Sequence, residues 1–210
     1  DWKECLPASY THLFNVPQNG LAKYPNQFYS FDYGPVHFVV LDTNFPEMKN
    51  FQPDLLADEL PWLEKDLAAS KAQWKVVLMH RDIFLYGFGP ESGRAQTKTH
   101  FLDFSYQLMP VFEKYKVDAV LTAHLHTYRR RVQLQNFAPA PQGEGITYIL
   151  TGVAGSVRYP KLWGDFEWDA ATAPKPETAN YMTLKADEKT LEFKAFLPDG
   201  KQFDEVKLMK

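Results

Sequence analysis

Two apolar runs that end in histidine constrain this chain more than any other feature. Val120-Leu121-Thr122-Ala123 leads straight into His124-Leu125-His126. Upstream, Val76-Val77-Leu78-Met79 leads into His80. Short apolar runs closed by a polar break read as strands buried on both faces, the kind found inside parallel α/β sheets. Ligands and metals collect at the carboxyl ends of such strands. Neutral imidazole suits zinc, iron and manganese. On extended backbone, His-x-His points both rings to one face. His124 and His126 would then bind one metal or bridge to two, and His80 would close the set from a neighbouring strand end.

The rest of the chain fits an α/β fold. Residues 28–33 and 36–41 alternate or run apolar around a Gly34-Pro35 turn, which reads as a hairpin. Leu55, Leu56, Leu60, Leu63 and Leu67 recur at helical spacing, with Pro61 expected to start the main run over 62–69. Residues 74–79 form the next strand, so strand, helix and strand make a right-handed parallel crossover. Residues 81–100 read as a long polar loop, of the kind that often carries function. A helix is expected over 102–115, interrupted or restarted at Pro110. Strands follow at 117–122 and 146–151. A polar loop over 157–179 precedes three alternating strands at 181–185, 190–196 and 203–208. The last two are joined at Pro198-Asp199-Gly200. Residues 1–26 read as surface loops. The expected architecture is a mixed β-sandwich flanked by helices.

Composition narrows the function. With 210 residues, 45% of them hydrophobic, the chain can bury a real core. A net charge of -3 argues against broad nucleic-acid binding. A single cysteine, Cys5, excludes an internal disulfide. No run is long enough to span a bilayer. The chain opens on Asp1-Trp2-Lys3 without Met and is expected to be a fragment or a trimmed product.

The other candidates divide. His37, inside an apolar strand, should serve structure by meeting a buried partner. Asp42 ends a strand, and Asp42-Thr43-Asn44 reads as a turn. Arg129-Arg130-Arg131 is either a solvated basic edge, an anion clamp, or buried structural arginine. His100, after Lys98, could reach a substrate.

Together these residues resemble the calcineurin-like metallophosphoesterase superfamily, and most of all its purple-acid-phosphatase-like branch. Val77-Leu78-Met79-His80 matches that branch's V-x-x-H motif. Ala123-His124-Leu125-His126 matches its G-H-x-H motif, with Ala123 in place of Gly. Tyr128 and Arg130 match the continuation. The segments Tyr29-Ser30-Phe31-Asp32-Tyr33-Gly34, Leu41-Asp42-Thr43 and Gly145-Ile146-Thr147-Tyr148 resemble its framework, and the match runs from about residue 27 to 155.

The resemblance implies a metallo-dependent phosphatase-like fold, incomplete at its N-terminus, with residues 1–210 forming the C-terminal part of one domain. It implies two divalent or mixed-valence ions (Fe, Zn or Mn). His80 and His124 would sit on one ion and His126 on the other, with hydroxide attacking the phosphorus of a phosphate ester. Arg94, His100 and Tyr128 are the candidates for touching substrate, whether a small phosphate ester or a phosphoprotein. The branch leans toward an exported setting. The family's three earlier motifs, which supply carboxylates and an asparagine, have no counterpart here. The chain is therefore expected to hold the histidine half of a site, to need the segment that carries the rest, and to be weakly active or inactive alone. A non-catalytic module and a mononuclear three-histidine zinc site are the alternatives.

Overall fold

A computed structural model describes residues 8–85, 100–153, 155 and 166–210. Helix α1 (Ala8–Leu13) precedes the hairpin of β1 (Tyr29–Tyr33) and β2 (Val36–Leu41). Helices α2 (Phe45–Met48) and α3 (Leu55–Ala69) lead to β3 (Trp74–Met79). The short strands β4 (Phe84–Leu85) and β5 (His100–Phe101) pair with each other. Helix α4 (Ser105–Lys114) leads to β6 (Ala119–Thr122), then β7 (Tyr128–Arg131). A two-residue ladder, β8 (Leu134–Gln135) with β9 (Ala138–Pro139), precedes β10 (Thr147–Thr151) and β11 (Asp169–Thr172). The chain closes with the meander β12 (Tyr181–Ala186), β13 (Thr190–Phe196) and β14 (Gln202–Met209).

Seven strands form one mixed sheet in the order β1-β2-β3-β6-β10-β7-β11, and the meander is a separate sheet. β2, β3, β6, β10 and β11 run one way; β1 and β7 run against them. The period of two sorts side chains between two cores. Val39, Leu41, Val77, Met79, Val120, Tyr148 and Leu150 meet Leu55, Leu63 and Leu67 of α3 and Leu108 and Phe112 of α4. On the other face Val36, Trp74, Val76, Ala119 and Ile149 meet Leu191, Phe193 and Ala195 of the meander. The mixed sandwich with outer helices is as expected.

Four local expectations are corrected. Residues 8–13 are helical, inside the stretch expected to be loops. Helices α3 and α4 run through Pro61 and Pro110 without restarting. Each proline leaves the carbonyl four residues earlier without its helical partner. Both prolines are exposed, as are Ala57 and Tyr106 that carry those carbonyls, so water can take the bond. Residues 128–131 and 169–172 are strands, because their charges pair with each other inside the fold.

β1 forms the outer edge of the large sheet. Phe31 stacks on Phe38 at 5.1 Å and on Tyr29 at 6.4 Å, and Tyr33 is 78% exposed.

Candidate metal centre

His80 leaves β3 at its carboxyl end, and His124 leaves the neighbouring β6 two residues past its own end. The Ala123 amide donates to the His80 carbonyl at 2.9 Å, so the two ends are stitched together. Residues 123–127 are not extended. Leu125 N–H donates to Ala123 O and Thr127 N–H to Leu125 O, two tight turns in succession, and His124 takes φ 65°. Strand alternation therefore does not place His124 and His126 on a common face, as the spacing had implied.

The turns bring two rings together. His80 Nε2 lies 3.1 Å from His124 Nδ1, with ring centroids 5.0 Å apart and planes at 77°. Two imidazole nitrogens each about 2.0–2.1 Å from one ion must lie roughly 3 Å apart, so the pair fits the imidazole side of a metal site. Both rings titrate below the ordinary imidazole range. The dense protein behind them disfavours charge even though their outer faces are exposed, and the Arg81 guanidinium adds to this. The result is neutral imidazole at neutral pH, the form that ligates. His126 is half-buried and close enough for its charge to depress both rings. Among the described residues, no three His, Cys, Asp or Glu side chains are gathered to hold an ion. Two of the three expected ligands are thus brought together, and the third is a neighbour.

The surroundings hold these turns. Thr127 Oγ1 and the Tyr128 amide both donate to the carboxylate of Glu177, at 2.9 and 2.7 Å. A Cβ at Gly152 would run into the Leu125 carbonyl, so only glycine lets this turn seat. Arg81 N–H donates to Thr43 Oγ1 at 2.8 Å, and its guanidinium pairs with Glu47 of α2. Asp42 accepts the Asn44 amide at 3.0 Å, as expected for a turn.

Of the substrate candidates, Tyr128 is corrected: it is buried, and its hydroxyl donates to Asp204 at 2.8 Å on the face toward the meander. Arg94 lies outside the described residues, and His100 begins β5. The arginine triplet is structural. Arg130 grips Asp204 at 2.8 Å through both Nε and Nη2. Arg129 and Arg131 pair with Asp169 in the interior. Burial pushes Asp169 up to about 6 against the pull of Arg129, and pushes Arg131 down to about 10 against that of Asp82. Arg81, Glu47, Asp82 and Glu177 carry the support and were not singled out from the sequence. Only Arg81 and Asp82 had a signal, their place directly after His80.

A mixed sheet with helices on one face, a second sheet on the other and histidines at the carboxyl strand ends is the architecture of the metallo-dependent phosphatases. The chain belongs to the calcineurin-like phosphoesterase family, whose model matches residues 3–128. It is 29% identical over 217 residues to an acid phosphatase of Aspergillus ficuum, covering 76% of this chain and 33% of that one. It is 27% identical to purple acid phosphatase 23 of Arabidopsis thaliana, covering 71% of this chain and 30% of that one. Its fold is similar to that of a purple acid phosphatase from yellow lupin (Lupinus luteus) seeds, with a TM-score of 0.69 at 19% identity, over 96% of this chain and 35% of that one. The chain spans about a third of the length of these relatives. Among the described residues, no helix is long and apolar enough to cross a membrane.

Proposed function

We propose that the protein hydrolyses phosphate esters and that this chain supplies the imidazole half of a binuclear metal centre. His80 and His124 would hold one ion and His126 the other. The observation that carries the reading is the 3.1 Å approach of two neutral imidazoles at adjacent strand ends, in a chain of this family. The ions, when bound, would supply an activated nucleophile and neutralise the phosphoryl oxygens.

The chain's own residues would do the rest. Burial and Arg81 keep the imidazoles neutral and ready to ligate. The Arg81 guanidinium, anchored on Glu47, stands close enough to both rings to favour their neutral form. The turns locked by Glu177 and Gly152 fix where the rings point. The family's aspartates and asparagine have no counterpart in these 210 residues, so the reading gives this chain half of a site. Substrate would be a small phosphate ester or a phosphoprotein, and an exported setting goes with the branch it resembles.

Metal analysis of the full-length gene product should find about two ions of Zn, Fe or Mn per chain. His126→Ala should abolish hydrolysis of an aryl phosphate while leaving the melting temperature nearly unchanged. A full-length product that folds, binds no metal and turns over nothing would overturn the reading in favour of a non-catalytic module.

A further inference from the structure

We propose that Asp82 is the positioning residue of this centre: its buried carboxylate ties together the two strand ends that carry His80 and His124, and so sets the spacing of their rings. The inference rests on the reading of those rings as ligands.

Asp82 lies two residues past His80, and Thr122 two residues before His124. Asp82 Oδ1 accepts from Thr122 Oγ1 at 3.2 Å and from the Ile83 amide at 2.8 Å. Ala123 N–H to His80 O already joins the same two ends. A single bond is a pivot, about which one strand end can rotate against the other. A second bond, displaced by two residues on one chain and one on the other, removes that rotation. The other oxygen, Oδ2, lies 3.6 Å from Arg131 Nη2. Arg131 in turn shares Asp169 with Arg129, so β7 and β11 are held in the same set.

This set is an expensive way to build a core. Asp82, Thr122, Arg129 and Arg131 are all buried, and Phe84 and Phe166 flank the Arg131 guanidinium at 5.1 and 5.4 Å. Apolar residues of similar volume commonly hold an interior as well as a buried ion set, or better. What such a set adds is register. Register matters here because ligands must be held within about 0.5 Å, and losing an outer hydrogen-bond partner typically costs 10–100-fold in metal affinity. Asp82 and Thr122 of this set each lie two residues in sequence from one of the two rings in contact, His80 and His124.

The test, made on the full-length gene product, compares wild type with Thr122→Val, Thr122→Ser, Asp82→Asn and the double variant Asp82→Asn/Arg131→Met. Three quantities are read: zinc affinity by competition with a chromophoric chelator, the imidazole nitrogen spectrum of the metal-free protein, and the melting temperature. Thr122→Val removes the side-chain bond between the strand ends and leaves the backbone bond from Ala123 to His80 in place. It should weaken zinc binding about 10–100-fold and shift the His80 and His124 resonances, while Thr122→Ser preserves both. The double variant should regain the melting temperature lost by Asp82→Asn without regaining zinc affinity. Zinc affinity within threefold of wild type and unmoved ring resonances in Thr122→Val would overturn the proposal, as would joint recovery of stability and affinity in the double variant. If Asp82→Asn does not fold, the threonine pair decides alone. If wild type takes up no zinc, the ligand reading fails, and unmoved resonances in the metal-free variants overturn the positioning role separately.

Discussion

At His37 the ring bridges two carboxylates, Asp32 on β1 at 2.7 Å and Asp66 on α3 at 2.8 Å. Burial works against its charge, but the bonds to Asp66 and Asp32 outweigh it and raise its pKa. A raised folded pKa means the contribution is complete below the unfolded value near 6.5 and is lost as pH rises through the folded pKa. His37→Ala should therefore cost roughly 1.5–3 kcal/mol in urea unfolding at pH 5.5, and less at pH 9. The structural role of His37 was legible from its apolar strand. Its partners were not, since one lies 29 positions away. The strand-end histidines were legible for the same reason, as strands announce their own ends. The positive φ of His124 was not, because L residues seldom adopt it and histidine carries no mark of it.

Helix α3 shows what periodicity reveals and what it hides. Leu55, Leu63 and Leu67 mark its buried face, and Glu59 lies on that face too. Burial holds the Glu59 carboxyl well above its usual range, and it accepts the Asp42 amide at 2.8 Å. The helix passes through Pro61 at the cost of one backbone bond. Pro61→Ala should restore that bond on an exposed face and raise stability by about 1–3 kcal/mol, read from the denaturation midpoint at unchanged m-value. A single sequence cannot show that the orphaned carbonyl faces water, which is why a restart was expected there. Strands β7 and β11 were hidden for a related reason. Tyr-Arg-Arg-Arg looks like surface until Asp169 and Asp204, 38 to 76 positions away by their pairings, are brought against it.

Across the whole molecule, the meander is held on the large sheet by apolar packing and by polar links. Trp74 Nε1 donates to Asp187 O at 2.6 Å, and Asp204 accepts from both Tyr128 and Arg130. Burial disfavours the Asp204 carboxylate, yet Arg130 and Tyr128 hold it below the usual carboxylate range. A depressed folded pKa gives stability that is present above the unfolded value and lost as pH falls through the folded pKa. Asp204→Ala should thus cost about 3 kcal/mol at pH 7, with the gap to wild type closing in acid, as followed by urea unfolding. The three closing strands were legible from their alternation, but not that they would roof the second face of the sheet. Among the described residues, no further strand pairs with the outer side of β1. β1 carries Tyr29, Phe31 and Tyr33 along its length, and Asp32, which binds the His37 ring, is the one acid on that strand. Asn19 closes the edge at Ser30 by bonding its amide and carbonyl at 3.1 and 2.9 Å, and beyond that point an edge strand with stacked rings invites a neighbour to zip alongside. Handling of this protein at high concentration will therefore be limited by turbidity that begins among intact molecules, well before any of them melts.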